Sequence, residues 1–300
     1  MITSSGRAYR DSQSRQSPGP DPVEELARTR FGVTYLYPIQ RFVISNVLEG
    51  RPQIVVLPTG AGKSLCFQLP SLLLQGPTLV LMPLLSLLSD QLRKMRDAGI
   101  PVEELRGGLT PAEKDDLFAR IARGSVRILL ATPEACLVPA TAERLKACRF
   151  AHFVVDEAHC VSEWGESFRP AYREVGALAR RLGIPMISAF TATASKEVVD
   201  KIKALLFEDA EVRNVAGSPD RPEISYSVLP VLSRAHALAG IARTAEKPLL
   251  VFCRTRGETE ATARSALRAF GSGQARFYHA GLARQLRAPR PCATVRAIPV

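Results

Sequence analysis

The sequence predicts an α/β protein, a parallel β-sheet with helices on both faces. Two observations carry that expectation. From residue 51 onward, short apolar runs of strand length alternate with longer stretches of helical pattern, the β-α-β-α order that builds a parallel sheet. Thr59, Thr132, Asp156 and Thr191 each fall just after one of those runs, and a parallel sheet collects its functional groups beyond the carboxyl ends of its strands.

Taken in order, residues 1–22 are polar, without an apolar core. They are expected to form a disordered N-terminal arm and not a secretory signal. Residues 23–216 form the expected first domain. Its strands are QIVVLP (53–58), PTLVLMP (77–83), VRILLATP (126–133), a run within FAHFVVDEAH (150–159), and PMISAFTATA (185–194). Between the first two lies KSLCFQLPSLLLQG, helix-like and ending at Gly76. LLSLLSDQLRKMRDAG is an amphipathic helix that closes at Gly99, a residue suited to a helix stop. The turn formers of NVAGSPDRPE (214–223) mark a boundary near 217. A second alternation follows: ISYSVLPV, a helix, PLLVFCRT (248–255), a helix from about Glu258, and ARFYHAGL. It predicts a partial second domain over 217–282, with a divergent basic tail at 283–300.

Composition narrows the function classes. The chain has 46% hydrophobic and 23% charged residues, as globular proteins do. No run approaches the ~18 apolar residues of a membrane span. The net charge is +11, and residues 241–300 hold eleven Lys and Arg against three acids. Such a surface suits a polyanion. None of the six cysteines forms a C-x-x-C pair, so no zinc is expected, and most sit in apolar or mixed segments, as reduced thiols of the cytoplasm do.

LPTGAGKS (57–64) lies between a strand and a helix, the place of a phosphate-binding loop. Glycines let backbone N–H groups turn onto phosphate oxygens, and the helix N-terminus adds positive potential. Lys63 supplies a cation for the β- and γ-phosphates and Ser64 a hydroxyl for Mg²⁺. The usual first glycine of this loop is Leu57 here. In VVDEAH, Asp156 would hold the Mg²⁺ shell and Glu157 would polarise an attacking water. Two adjacent acids at a strand end repel unless a metal or a donor offsets them. In SAFTATAS (188–195), Thr191 and Thr193 follow a third strand, with hydroxyls placed to sense the acid pair.

Together, FGVTYLYPIQ, LPTGAGKS, MPLLSLLSDQ, ATPEACL, VVDEAHCVSEWGESFRPAYREV, AFTATA, SPDRPEISY, VFCRTR and YHAGL resemble, in this order, the RecQ family of superfamily 2 DNA helicases. The resemblance runs from about Phe31 to Leu282. Its most specific part is the loop DEAHCVSEWG–SFRP–Y. It implies a RecA-like first domain, an incomplete second RecA-like domain and a 3′→5′ DNA helicase of repair and recombination. The cofactors it implies are ATP and Mg²⁺, and its partners are single-stranded DNA and duplex/single-strand junctions.

Carried onto this sequence, the resemblance has Gln40 read adenine. Thr59, Gly60, Ala61, Gly62, Lys63 and Ser64 hold the triphosphate and Mg²⁺. His159 links the site to the tryptophan loop, Thr191 and Thr193 take part in coupling, and Trp164, Phe168, Arg169, Ser86 and Thr132 meet DNA. Three departures stand out. Tyr37 replaces an arginine before the proline of the adenine motif, and Glu166 replaces a histidine of the loop. After YHAGL the family's next motifs and its arginine finger are unmatched, so a C-terminally truncated member with weak unwinding is expected. Two other readings use the same residues: a non-catalytic ATP- and nucleic-acid-binding fragment, and a DEAD/H-type RNA helicase.

Overall fold

A computed structural model describes residues 21–163, 170–208, 210–218, 224–270, 275–279 and 281–282. The chain divides into two compact units, Met1–Asp220 and Arg221–Val300.

The first unit opens with α1 (Pro22–Phe31) and α2 (Pro38–Leu48), each with proline in its first turn. Asp21 caps α1 by accepting from the Val23 N–H, and Gly32, at φ 64°, ends it. The helix therefore begins at the last residue of the expected arm, with Asp21 before it as the cap; residues 1–20 lie outside the described residues. There follow β1 (Gln53–Val56), α3 (Lys63–Ser71), β2 (Thr78–Leu81), α4 (Leu85–Asp97), β3 (Val102–Leu105), α5 (Pro111–Ala122) and β4 (Ile128–Ala131). After these come α6 (Pro133–Leu137), α7 (Pro139–Ala147), β5 (His152–Val155), α8 (His159–Glu163), α9 (Val175–Leu182), β6 (Ile187–Thr191), α10 (Lys196–Ile202) and β7 (Arg213–Ala216).

The seven strands form one sheet in the order β3-β4-β2-β5-β6-β1-β7, and every pairing is parallel. Side chains alternate between two cores. Ile54, Leu79, Leu129, Phe153 and Ala189 pack against Leu117, Leu145, Leu178 and Ile202 of the helices on one face. Val55, Val80, Leu130, Val154 and Phe190 pack against Val43 of α2, Phe67 of α3 and Leu88 of α4 on the other. The expected α/β architecture holds.

The five strands read from the sequence are all present. Two more, β3 and β7, were not legible there. Both are sheet edges carrying charge instead of an apolar run, as exposed edges commonly do. In β3, Glu103 pairs with Arg96 and Arg120, and Glu104 with Arg106. Helix α3 stops at Ser71, short of Gly76. Its Pro70 removes one backbone donor, and the Leu72, Leu73 and Leu74 N–H groups close the end onto the carbonyls of Leu69 and Pro70.

At the amino ends of the strands, the second core gives way to a polar row. Arg213 Nη1 donates to Asn46 Oδ1 (2.6 Å), and Asn46 Nδ2 donates to Gln53 Oε1 (3.0 Å). Gln53 Nε2 donates to the Val43 carbonyl (3.1 Å) and Ser188 Oγ (3.3 Å), and Ser188 Oγ meets His152 Nε2 at 2.9 Å. Asn46, Gln53, Ser188 and His152 are all buried. Each of these side chains keeps at least one hydrogen bond, as buried polar groups do, while His152 Nδ1 has no partner among the described residues.

In the second unit, α11 (Arg234–Thr244) and α12 (Arg256–Phe270) are formed. Ser233 caps α11 at its N-terminus by accepting from the His236 N–H. The expected strands of this unit are not: the described residues of 224–231, 248–255 and 275–282 pair with no neighbour, and Val228, Leu250 and Phe252 are exposed. Alternation alone does not make a strand, since an unpaired ladder has no hydrogen-bonding partner. The tail at 283–300 lies outside the described residues.

Candidate functional site

The strand order decides what meets what. β2, β5, β6 and β1 are consecutive neighbours. Their carboxyl ends therefore bring the segment at Met82, the acid pair, Thr191 and the glycine loop side by side. Backbone bonds continue the sheet into these loops: Asp156 N–H to the Leu81 carbonyl (3.0 Å), Ala158 N–H to Phe190 (2.8 Å) and Leu57 N–H to Thr191 (3.0 Å).

The glycine loop leaves β1 at Leu57 and enters α3 at Lys63. Gly60 and Gly62 hold φ of 88° and 73°, the left-handed region that glycine adopts without strain. At Gly62 there is a second demand: a Cβ would lie 2.4 Å from Gln40 Nε2. That close approach exists because Gln40 Nε2 donates to the Ala61 carbonyl (3.0 Å) while its Oε1 accepts from the Tyr37 N–H (3.0 Å). Gln40, expected to read adenine, thus also clasps the loop. Lys63 Nζ donates to the carbonyls of Leu57 (3.0 Å) and Pro58 (3.4 Å) at the mouth of the loop. Thr59 and Gly60 are exposed at its tip, and Ala61, Gly62, Lys63 and Ser64 are half-buried.

Asp156 is 8% exposed. Burial, then the neighbouring Glu157, push its carboxyl up to about 6; the Glu157 N–H bond and the Lys63 charge pull against them. The opposing influence of Lys63 places the two side chains within electrostatic reach. Glu157 sits at φ 49°, a strained setting for a residue with a side chain. The turn aims its N–H at Asp156 Oδ1 (3.0 Å). Glu157 Oε2 lies 3.4 Å from His159 Nδ1, and that nitrogen lies 3.0 Å from Thr191 Oγ1. Thr191 Oγ1 donates to the Thr193 carbonyl (3.0 Å) and accepts from its N–H (3.4 Å). Acid, imidazole and hydroxyl form one chain from β5 to β6.

A hard divalent cation suits this donor set: a carboxylate oxygen of Asp156 in a buried setting short of positive charge, and the Ser64 hydroxyl across the loop. No group of three or more His, Cys, Asp or Glu among the described residues is arranged to hold a metal by itself. Protein oxygens would then share the ion with phosphate, as Mg²⁺ sites do.

The residues expected to meet DNA are placed less uniformly. Ser86 is exposed in the first turn of α4. Thr132 is 6% exposed, and its hydroxyl caps α6 by accepting from the Ala135 N–H (3.4 Å). Trp164, Glu166, Phe168 and Arg169 lie outside the described residues. Tyr37 is exposed and meets Tyr35 edge to face at 5.6 Å; Tyr35 was not singled out in the sequence, where it reads as one of several aromatics.

Comparison with known proteins gives the chain's family and fold. The DEAD/DEAH box helicase family matches residues 37–202. The probable ATP-dependent DNA helicase RecS of Bacillus subtilis is 37% identical over 256 residues, 84% of this chain and 51% of that protein. The ATP-dependent DNA helicase RecQ of Synechocystis is 37% identical over 246 residues, 78% of this chain and 51% of that one. The chain thus spans about half the length of these relatives. Among solved structures, the Mycobacterium smegmatis helicase Lhr bound to ssDNA and AMP-PNP aligns over 89% of this chain and 40% of its own, with TM-score 0.61 and 20% identity. A hypothetical ATP-dependent RNA helicase from Sulfolobus tokodaii covers 81% and 71%, with TM-score 0.53 and 21% identity. These two likenesses establish the RecA-like helicase fold. With more than half of the residues inside the family match, the chain belongs to the DEAD/DEAH box helicase family, beside curated relatives of RecQ type.

Proposed function

We propose that this chain is the ATP-dependent motor of a RecQ-type DNA helicase, moving 3′→5′ on single-stranded DNA and acting at duplex/single-strand junctions. The observation that carries the reading is the shared rim: the Lys63 loop, the Asp156–Glu157 pair and the His159–Thr191 link stand at the ends of adjacent strands. Phosphoryl transfer asks a protein mainly for positioning and charge, and this rim offers both.

In this reading, the N–H groups around Gly60 and Gly62 cradle phosphate, and Lys63 leaves its two carbonyls to neutralise it. Mg²⁺, held by Ser64 and Asp156, supplies charge neutralisation for the phosphates. Glu157 takes the proton of the attacking water. His159 and Thr191 carry the state of that carboxylate to β6 and the turn at Thr193. Tyr37 and Gln40 would serve the nucleobase, and Ser86, Trp164, Phe168 and Arg169 the DNA strand, where stacking accepts any base. A basic sequence and reduced cysteines fit work on DNA in the cytoplasm. No helix among the described residues is long and apolar enough to cross a membrane.

The test is ATP turnover by the purified chain with and without single-stranded DNA, beside Glu157→Gln. DNA-stimulated turnover that the substitution removes supports the motor. Equal turnover in both proteins supports a binding fragment. Stronger stimulation by RNA than by DNA supports an RNA helicase.

A further inference from the structure

Helix α4 carries a polar side chain where its pattern asks for an apolar one. Leu88, Leu92 and Met95 are buried against the sheet, the i, i+4, i+7 stripe of an amphipathic helix. Gln91 fills the i+3 place on that stripe and is half-buried. A carboxamide there is unfavourable unless bonded, and it is bonded at both ends to α3. Gln91 Nε2 donates to Ser64 Oγ (3.4 Å), and Gln91 Oε1 accepts from Gln68 Nε2 (3.3 Å). Ser64 and Gln68 are four residues apart, on one face of α3. Gln91 spans them.

We propose that Gln91 is a positioning residue for the Ser64 hydroxyl, tying the metal-binding oxygen to the helix whose first turn carries Ser86. The inference rests on the ATP·Mg²⁺ reading of the site. A serine oxygen has two lone pairs and one proton. Donation from Gln91 occupies one lone pair and biases the hydroxyl's orientation. The other lone pair is left for a hard cation, and the proton for an acceptor. Gln68 holds Gln91 with its N–H directed at Ser64. Both amides are long range in sequence, 27 and 23 residues, so the contact exists only when α3 and α4 are correctly packed.

The experiment titrates MgCl₂ into the full chain with a fluorescent N-methylanthraniloyl ATP, and repeats it in EDTA without metal. In Gln91→Ala, half-saturation should need roughly tenfold more Mg²⁺, with metal-free nucleotide binding and the melting temperature unchanged. Gln91→Glu keeps the shape but can only accept, so it should fail to restore the Mg²⁺ dependence. Gln68→Leu should show a smaller shift in the same direction. If wild type binds nucleotide and Gln91→Ala gives the same Mg²⁺ curve, the role of Gln91 is overturned alone. It is equally overturned if Gln91→Glu behaves as wild type, since shape would then suffice. A wild-type chain that binds no nucleotide under either condition overturns the ATP-site reading, and this inference with it.

Discussion

At the carboxyl rim of the sheet, Lys63, Asp156, Glu157 and Thr191 meet in loops and turns. At the amino rim, Asn46, Gln53, Ser188 and His152 meet within helix and strands, and Arg213 joins them from the edge strand. Both rims interrupt the same apolar core with polar groups. The amino rim links its side chains into one hydrogen-bonded row, in which only the buried Nδ1 of His152 lacks a partner among the described residues. The carboxyl rim leaves a buried carboxylate beside another, a residue at φ 49°, and a lysine whose ammonium donates to two backbone carbonyls. Polar burial of the first kind serves the fold. Polar burial of the second kind costs stability by itself, and in the proposed reading a bound nucleotide and its metal complete it.

The comparison breaks first at Glu157→Gln. Turnover should fall by about 10³-fold, while nucleotide affinity and thermal unfolding stay as in wild type. Single-turnover hydrolysis read beside equilibrium binding checks this; a matched fall in binding would move Glu157 out of the catalytic role. The mirror experiment is Gln53→Leu. It removes the acceptor of Asn46 Nδ2 and a donor to both Ser188 Oγ and the Val43 carbonyl, so unfolding free energy should drop by about 3 kcal/mol. Per folded molecule, nucleotide binding should be untouched. Urea titration beside a binding isotherm distinguishes the two.

Next comes Asp156→Asn. Removing the buried charge should raise stability at pH 7.5, without metal or nucleotide, by about 2 kcal/mol even as turnover is lost. The rims also have opposite dependence on pH. Burial holds His152 down to about 3, while the unfolded chain takes up a proton near 6.5. On that account, stability rises with pH between about 3 and 6.5. Asp156, pushed up to about 6, keeps a proton that the unfolded chain gives up near 3.8. Its contribution is lost as pH rises through 6. In Asp156→Asn, the rise of the urea midpoint between pH 4 and 6.5 should therefore steepen; an unchanged slope would contradict the assignment. The smallest effect is expected for Gly62→Ala, about 1 kcal/mol of stability from the left-handed backbone. Weaker nucleotide binding should accompany it as Gln40 is pushed from the loop.

Much of the carboxyl rim was legible in the sequence because its residues occupy short, ordered motifs directly after apolar strands. Lys63, Asp156 and Thr191 are readable at a distance for that reason. The amino rim was not. Asn46, Gln53 and Ser188 look like ordinary surface polar residues in a linear reading, and only the sheet order and register bring them together. Edge strands β3 and β7 escaped because charged and polar residues, paired acids in β3 and Arg213 and Asn214 in β7, replace the apolar run that marks a strand. In the second unit the error ran the other way: PLLVFCRT has the pattern of a strand and no neighbour to pair with among the described residues. Gln91 falls within the motif MPLLSLLSDQ, yet its contact with Ser64 depends on how α3 and α4 pack, which no spacing reveals.

Lys63 has a consequence for any affinity that is measured. Its ammonium already holds the Leu57 and Pro58 carbonyls, so in the proposed reading phosphate binding would be a replacement reaction: two neutral acceptors are released as an anionic one is taken. The observed constant therefore reports a difference between two sets of partners, not the strength of the new one. A lysine so engaged also discriminates by charge. A weak anion offers little over the carbonyls it must displace, and only a highly charged polyphosphate tips the exchange decisively.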